Sequence, residues 1–418
     1  MSFLKSILML FKKGKSDSTL NTSEEAISKN ESNVVENKEH DSTKKDEVQT
    51  EAELHNSKLA EAVTQAEKPK IKIVQSNEPV SELEELLQFL NSNGIEDFNT
   101  EEDLEKCEKL EINNIPITFL PTGIDYFTNL KELSITKTEL NNIPDSMGNL
   151  IELERLVIRQ NQLNEIPESI GNLTNLKELV ITHTNIDSLP NTIGKLNKLE
   201  NLELNNNKIT DLPDGFSKLI NLKKLNLFYN RLASLPDSIG NMKKLTDLNI
   251  SDNKLGTLSP LIGKLTKLEV FEALNTEIET LPIEIGLLIN LKALNLSYNN
   301  LENLPEETGE LVNLQELIIS ENSISSLPDS IGKLKELRKL YLYGNRLFSL
   351  PDSIGNLFNL EELTLTHNRL QSLPETICNL TKLEKLVLNN NELTEIPEKL
   401  KEMKHLKVLN LTNNQLSE

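Results

Sequence analysis

The stretch LRKLYLYGNRLFSLPDSIGNLFN, Leu337–Asn359, decides the fold of this chain because its pattern recurs along most of the sequence. The pattern LxxLxLxxNxLxxLPxxIGxLxN begins again at every 23rd position from Cys107 to residue 405, in thirteen complete units without insertion or deletion, and a partial unit follows. A fixed period of this length indicates an architecture in which each unit is buried only by its neighbours. We number the positions of a unit as slots 1–23 and name each unit by its first residue.

The repeat resembles the leucine-rich-repeat family, in the 23-residue LPxxIG subclass found in Ras-group and scribble-like scaffolds and in bacterial leucine-rich-repeat proteins. The resemblance covers residues 107–418 and implies an α/β solenoid, a curved arc with a parallel β-sheet on its concave face. Strand alternation then sends slots 4 and 6 into the core and slots 3, 5 and 7 to the concave face. The resemblance also implies that Asn, which fills slot 9 in ten units, forms a ladder that satisfies backbone groups. Thr138, Thr184 and Thr276 supply a hydroxyl instead.

Three further regions precede the repeats. Residues 1–15 are basic and amphipathic, and residues 16–80 lack aromatic residues and are dominated by Ser, Asn, Glu, Lys and Thr. Such a composition cannot bury enough apolar surface to offset the loss of chain entropy, which predicts a disordered linker. Residues 81–106 predict a helical N-terminal cap. There, SELEELLQFL places four leucines on one helical face after a capping box formed by Ser81 and Glu84, and a second helix start follows at Thr100.

Charge and cysteine content narrow the classes of partner and compartment. The net charge of −21 and the pI of about 4.9 argue against nucleic acid, which requires a basic face. Two cysteines, Cys107 and Cys378, are too few for the disulfide-closed ends that are common in secreted repeat proteins. No apolar run approaches the roughly 18 residues that span a bilayer. These observations favour a cytoplasmic protein, with a peripheral membrane protein or a secreted effector as alternatives.

The candidate binding site lies in the slots that the core leaves free. Most of these slots carry small polar or charged groups, but aromatic residues and arginines concentrate in the units from Leu222 to Leu360. Such clusters on an exposed surface are typical of hot spots for a protein partner, whereas the alternative is that they only cover one another along the ladder. The predicted site comprises Phe228, Tyr229, Arg231, Tyr298, Ile318, Tyr341, Tyr343, Arg346, His367 and Arg369.

The spacing of parallel strands places these residues within reach of one partner. At about 4.8 Å per unit, Phe228 and Tyr343 lie roughly 24 Å apart, which one globular protein can cover. A second, weaker patch is predicted around Val157 and Val180, which fill slot 5 of adjacent units beside Arg155 and Arg159.

The residues that would indicate catalysis are dispersed. The five histidines show no metal-ligand spacing, and there is no phosphate-binding glycine motif. Cys107 fills a core slot and Cys378 replaces the glycine of slot 19, where we expect a tight turn. The sequence therefore predicts a protein that is not an enzyme and binds no metal or cofactor.

The first fifteen residues, MSFLKSILMLFKKGK, carry a separate signal. Their apolar residues fall mostly on one helical face and their lysines on the other, which is typical of a segment that lies on an anionic membrane surface. A secretion or targeting address and the absence of any role are the alternatives. The predicted membrane-contact residues are Phe3, Leu4, Ile7, Leu8, Phe11, Lys12 and Lys13.

Together these features favour a non-enzymatic interaction module of the scaffold or effector type, which binds a protein partner on its concave face. One alternative is a structural or spacer protein anchored to a membrane surface through its N-terminal helix. Another is a fragment of an enzyme whose catalytic module lies beyond the arc.

Overall fold

The computed structural model describes residues 80–417, and one parallel sheet runs through the repeats. Each strand pairs with the strands of the two adjacent units, in strict chain order. The strands are β1 (Lys109–Asn113), β2 (Glu132–Thr136), β3 (Arg155–Arg159), β4 (Glu178–Thr182), β5 (Asn201–Glu203), β6 (Lys224–Asn226), β7 (Asp247–Asn249), β8 (Val270–Glu272), β9 (Ala293–Asn295), β10 (Glu316–Ile318), β11 (Lys339–Tyr341), β12 (Glu362–Thr364), β13 (Lys385–Val387) and β14 (Val408–Asn410). The predicted solenoid with its parallel sheet is thus confirmed.

Two helices, α1 (Glu82–Ser92) and α2 (Glu101–Glu105), cover the first unit. The predicted capping box is confirmed, because the Ser81 hydroxyl accepts from the Glu84 amide at 3.2 Å and the Ser81 amide donates to the Glu84 carboxylate at 3.1 Å. Leu90 of α1 and Leu104 of α2 are fully buried against the first repeats. Within residues 80–417, no helix has both the length and the apolar character that crossing a bilayer requires.

Register in the sheet follows the period of the sequence. Leu340 pairs with Leu317 on one side and Leu363 on the other, so that equivalent leucines stack in one continuous core. Leu340 and Leu342 are buried while Tyr341 between them is half-buried, which confirms the alternation of slots 4, 5 and 6.

Short 3₁₀ helices follow slot 15, which is Ser259 in unit Leu245 and proline in the other complete units, and they form the opposite side of the solenoid. They span Thr122–Tyr126, Asp145–Asn149, Glu168–Asn172, Asn191–Lys195, Asp214–Lys218, Asp237–Asn241, Pro260–Lys264, Ile283–Leu287, Glu306–Glu310, Asp329–Lys333, Asp352–Asn356, Glu375–Asn379 and Glu398–Glu402. The sequence predicts a tight turn at the slot-19 glycines, and the structure adds a second reason for glycine at this slot. A Cβ at Gly171 would lie 2.5 Å from the carbonyl oxygen of Thr192. The close approach of neighbouring units therefore requires glycine there.

The slot-9 asparagines form the expected ladder. The Asn253 amide donates to the carbonyls of Leu227 and Ile250, each at 2.9 Å, and accepts from the Leu232 amide at 3.0 Å. Each Asn therefore joins its own unit to the preceding one and satisfies backbone groups that would otherwise be buried without partners. The hydroxyl of Thr276 takes part as predicted, donating to Asn299 Oδ1 at 2.9 Å.

The N-terminal segment lies outside the described residues. The membrane-contact prediction for residues 1–15 and the linker prediction for residues 16–80 therefore stay predictions.

Candidate protein-binding surface

The ten predicted site residues all lie on one side of the sheet, which we call the strand face and define by slots 3, 5, 7, 8 and 10. Slot 10 carries the three exposed arginines, and slot 8 carries Tyr229, Tyr298 and His367, which are also exposed. The slot-5 and slot-7 members are half-buried, namely Phe228, Ile318, Tyr341 and Tyr343.

Slot 8 has a backbone conformation that the sequence pattern did not reveal. In every unit this residue is left-handed, with φ from 52° at Asp252 to 66° at Gly344. A left-handed L-residue costs roughly 1–2 kcal/mol unless it is Gly or a short polar residue such as Asn or Asp. This cost favours the Asn, Asp and Gly residues that fill slot 8 in seven of the fourteen units, while the other seven carry longer side chains.

Two tyrosines nevertheless occupy slot 8. Tyr229 has φ 55° and Tyr298 has φ 56°, and their side chains are 60% and 48% exposed. A bulky residue in this conformation carries the backbone cost without the burial that would offset it. The two tyrosines are therefore poorly explained by folding stability alone.

The strand face of units Leu291 to Leu360 holds a set of contacts that we call the second anchor, formed by Tyr298, Glu321, Tyr343 and His367. The rings of Tyr343 and His367 meet edge to face with centroids 5.5 Å apart. The Glu321 carboxylate faces the Tyr343 hydroxyl and raises its pKa above the usual value, because a nearby carboxylate favours the protonated form. These contacts fix several side chains of the surface before any partner arrives.

Tyr341 is held more firmly beneath this surface. Its hydroxyl donates to Glu362 Oε2 at 3.0 Å. Burial, together with that carboxylate, raises the pKa of Tyr341 well above its ordinary range. Tyr341 is thus a packed support with one exposed edge.

Phe228 and Tyr229 form a first anchor, three units before Tyr298. Their ring centroids lie 6.0 Å apart at an interplanar angle of 44°. Between the two anchors, slot 8 holds Asp252 and Asn275, whose side chains hydrogen-bond to each other at 2.6 Å. The predicted site therefore divides into two aromatic groups separated by a polar stretch.

The slot-10 arginines lie at the border of the strand face. The Arg369 guanidinium lies over the ring of Phe348, in the geometry of a cation–π contact. Phe348 is an exposed slot-12 residue that the sequence analysis did not select. Arg369 is therefore engaged with a neighbour in the absence of a partner.

The second predicted patch is wrong. Val157 and Val180 are almost completely buried, although slot 5 faces away from the core. Ion pairs lie beside them, with Arg155 joined to Glu178 at 2.9 Å and Arg159 joined to Glu203 at 3.3 Å. The long side chains of neighbouring slots thus cover the small valines.

Glu272 is a notable residue that the sequence analysis missed. It occupies slot 5 of unit Leu268, yet it is only 5% exposed, and no ion pair among the described residues includes it. Its pKa is raised to about 7, mainly by burial and further by the charge of Glu316, while a hydrogen bond with Asn295 acts to lower it. A sequence signal was present, since Val270 and Ala293 interrupt the alternation of acidic and basic residues along slot 3.

The two cysteines offer no reactive thiolate. Cys107 is half-buried rather than fully buried, its Sγ lies 3.2 Å from the Lys109 carbonyl oxygen, and burial raises its pKa. Burial also raises the pKa of Cys378. Since the thiolate is the nucleophile, both shifts disfavour reactivity.

Comparison with known sequences identifies the family of the repeats. A model described as "leucine-rich repeat region" matches residues 170–283, 279–366 and 329–418, and a second, "leucine rich repeat", matches residues 128–186. The chain belongs to the leucine-rich-repeat family. No curated protein has significant sequence similarity to it.

Solved structures share the fold. A leucine-rich-repeat protein of Leptospira interrogans is 30% identical with a TM-score of 0.59, over 76% of this chain and 93% of that one. An internalin, InlF of Listeria monocytogenes, is 26% identical with a TM-score of 0.66, over 81% and 96%. The plant peptide hormone receptor RGFR1, in complex with RGF2, is 28% identical with a TM-score of 0.58, over 73% and 58%. The leucine-rich-repeat fold commonly mediates protein–protein interaction and ligand binding, and its repeats are typically non-enzymatic.

Proposed function

We propose that this protein is a non-catalytic interaction module whose strand face, from unit Leu222 to unit Leu360, binds a protein partner. The first anchor and the second anchor are the principal contacts. At about 4.8 Å per unit, the six units between Phe228 and His367 extend over roughly 29 Å, which suits an interface of ordinary size.

The observation that carries the proposal is the left-handed backbone of Tyr229 and Tyr298. Both side chains are about half exposed or more, at a position where Asn or Gly would be less strained. Residues that are costly to the fold and project into solvent are expected where binding provides the compensating free energy. Tyrosine is also among the residues enriched at binding hot spots.

The test is affinity capture from a lysate of the source cell with the full chain and with a triple variant, Phe228→Ser, Tyr229→Ser and Tyr343→Ser. We expect the triple variant to lose a protein that the unmodified chain retains. Thermal unfolding should change little, because these residues are at least partly exposed.

A matched control uses three apolar residues on the other side of the repeats. Ile151, Ile220 and Ile289 fill slot 22 and are about half exposed, so their replacement by Ser removes similar apolar surface. This control should capture the same protein as the unmodified chain. Equal recovery by both triple variants, or loss of folding in the aromatic variant alone, would contradict the proposal.

A further inference from the structure

Gly344, in slot 8 of unit Leu337, has no side chain, and the room that this leaves on the strand face is filled by a neighbouring residue. Along slot 8 the consecutive residues are Tyr298, Glu321, Gly344 and His367, so that a glycine lies between two large side chains. A Cβ at Gly344 would lie 2.8 Å from the Glu321 carboxyl carbon and 2.9 Å from both of its oxygens. The Glu321 carboxylate therefore occupies the space that the slot-8 side chain fills in other units.

Two tyrosines lie near the Glu321 carboxylate. Tyr298 lies one unit before Glu321, at about 4.8 Å along the ladder. Tyr343 faces the carboxylate from the following unit. Tyr343 is supported from behind by the edge-to-face contact with His367, whose Nε2 lies 3.2 Å from Asn390 Nδ2. A carboxylate beside aromatic rings combines full charge with negative ring faces, and both attract a cation.

No cation among the described residues neutralises Glu321. Within residues 80–417, the ion pairs closer than 4.0 Å do not include it, although the slot-3 glutamates Glu316 and Glu362 are paired with Lys339 and Lys385. An ionised carboxylate has about four acceptor positions, and the single Tyr343 hydroxyl cannot fill them. Acceptor capacity is therefore left for a donor from outside the chain.

We propose that an Arg or Lys side chain of the protein partner binds in a cation notch formed by Tyr298, Glu321, Tyr343 and Gly344. This inference rests on the proposed function above. The guanidinium or ammonium group binds the Glu321 carboxylate and lies against the tyrosine rings. Arg is favoured over Lys, because its planar group both stacks on a ring and donates two parallel hydrogen bonds to a carboxylate.

The experiment is an NMR titration of the full chain with N-acetyl-arginine amide at constant ionic strength, following the ring signals of Tyr343 and His367. N-acetyl-citrulline amide, which has nearly the same shape and no charge, is the matched probe. We expect saturable shifts with the arginine probe and an affinity at least about tenfold lower for the citrulline probe.

Two variants locate the binding. Glu321→Gln removes the charge, and Gly344→Asn places in slot 8 a residue that tolerates the left-handed backbone, as Asn275 and Asn390 do, while displacing the carboxylate. Each should weaken the arginine probe about tenfold and leave thermal unfolding almost unchanged. Equal affinity of the unmodified chain and both variants, or equal affinity for the two probes, would overturn the notch.

The same variants separate this inference from the proposed function. If Glu321→Gln and Gly344→Asn still capture the partner that the aromatic triple variant loses, the strand face binds a protein but the notch does not take its cation. If the aromatic triple variant captures every partner normally, the proposed function fails, and an arginine effect would then describe a site for small cations only.

Discussion

The strand face differs between the two ends of the solenoid although the core beneath it is the same. In the first five units ion pairs join the charges of slots 3, 5 and 7, as in Arg155–Glu178 at 2.9 Å and Arg159–Glu203 at 3.3 Å. In units Leu222 to Leu360 the face carries exposed tyrosines and the carboxylates of Glu272 and Glu321, which form no ion pair within the described residues. The second region also contains ion pairs, Glu316–Lys339 and Glu362–Lys385, and its Glu272 is buried. What it offers a partner in addition is therefore the exposed tyrosines and the unpaired Glu321 carboxylate.

The two ends also differ in how their strands continue. Strands β1–β4 have five residues and reach slot 7, while β5–β14 have three residues and end at slot 5. Backbone hydrogen bonds between units nevertheless continue beyond these three residues, since the Tyr229 amide donates to the Ser251 carbonyl and the Gly344 amide to the Thr366 carbonyl, each at 2.9 Å. The aromatic residues of slots 7 and 8 therefore lie on backbone that is tied to the neighbouring unit.

The largest effect is expected from Glu272→Gln, with Glu203→Gln as its counterpart in slot 5 of the first region. The pKa of Glu272 rises from an ordinary 4.5 to about 7 on folding, so the folded state holds the proton more tightly than the unfolded state. The contribution of Glu272 to the free energy of unfolding should therefore decline by about 3 kcal/mol as pH rises from about 4.5 to about 7, and the Gln variant should lack this decline.

Urea unfolding of both variants between pH 4 and pH 8 measures this difference. Glu203→Gln loses a partly exposed ion pair with Arg159. It should change the free energy of unfolding by less than about 1 kcal/mol at neutral pH. If both variants follow the wild-type pH profile in parallel, Glu272 is not a strained buried acid and this contrast between the regions disappears.

A smaller effect is expected when slot-5 aliphatic residues of the two regions are shortened. Val180 is completely buried, whereas Ile318 is half-buried. Val180→Ala should cost about 2 kcal/mol, because it removes methyl groups from the interior. Ile318→Ala should cost less than about 1 kcal/mol, because less apolar area is lost from contact. Chemical denaturation gives both values. Equal costs would mean that Ile318 is as much a packing residue as Val180, and Ile318 would then no longer count among the predicted binding residues.

The smallest effect concerns slot 8 and has opposite signs in the two regions. Tyr298→Asn should stabilise the fold by about 0.5–1 kcal/mol, because Asn accepts the left-handed backbone more readily, while partner capture weakens. The reverse change, Asn206→Tyr in the first region, should destabilise by a similar amount and leave capture unaltered. Thermal unfolding measures the change in stability, and the capture assay measures partner binding. A destabilised Tyr298→Asn variant would show that Tyr298 stabilises the fold by packing and is not held there for partner binding.

Much of the architecture was predictable because the 23-residue period determines which residues of adjacent units align. Strict repetition without a gap sets the register, so that Leu317, Leu340 and Leu363 align before any coordinates are known. The capping box at Ser81 and the slot-9 ladder were likewise predictable from the sequence, since each depends on residues at fixed spacings. The positions of the ten site residues on the strand face follow from the same spacing.

Accessibility within the site was less predictable, because it depends on how side chains from different units cover one another. Slot 5 faces away from the core in every unit, but Val157 and Val180 are buried while Ile318 is half-buried. The pairing of Arg159 with Glu203 joins residues 44 positions apart, across two units. No periodic pattern states which long side chain will lie over which small one.

The sequence by itself determined the solenoid, its register, the core slots and the family, because a strict repeat leaves the chain one way to bury its leucines. The tertiary structure alone decided the left-handed backbone of slot 8, the close approach that requires Gly171, the burial of Glu272 and the position of the Glu321 carboxylate beside Gly344. Each of these arises where one unit meets the next, at distances set by packing between equivalent positions of adjacent units. The spacing of the repeat predicts which positions are neighbours, but only the packing of their side chains decides which groups fit between adjacent units.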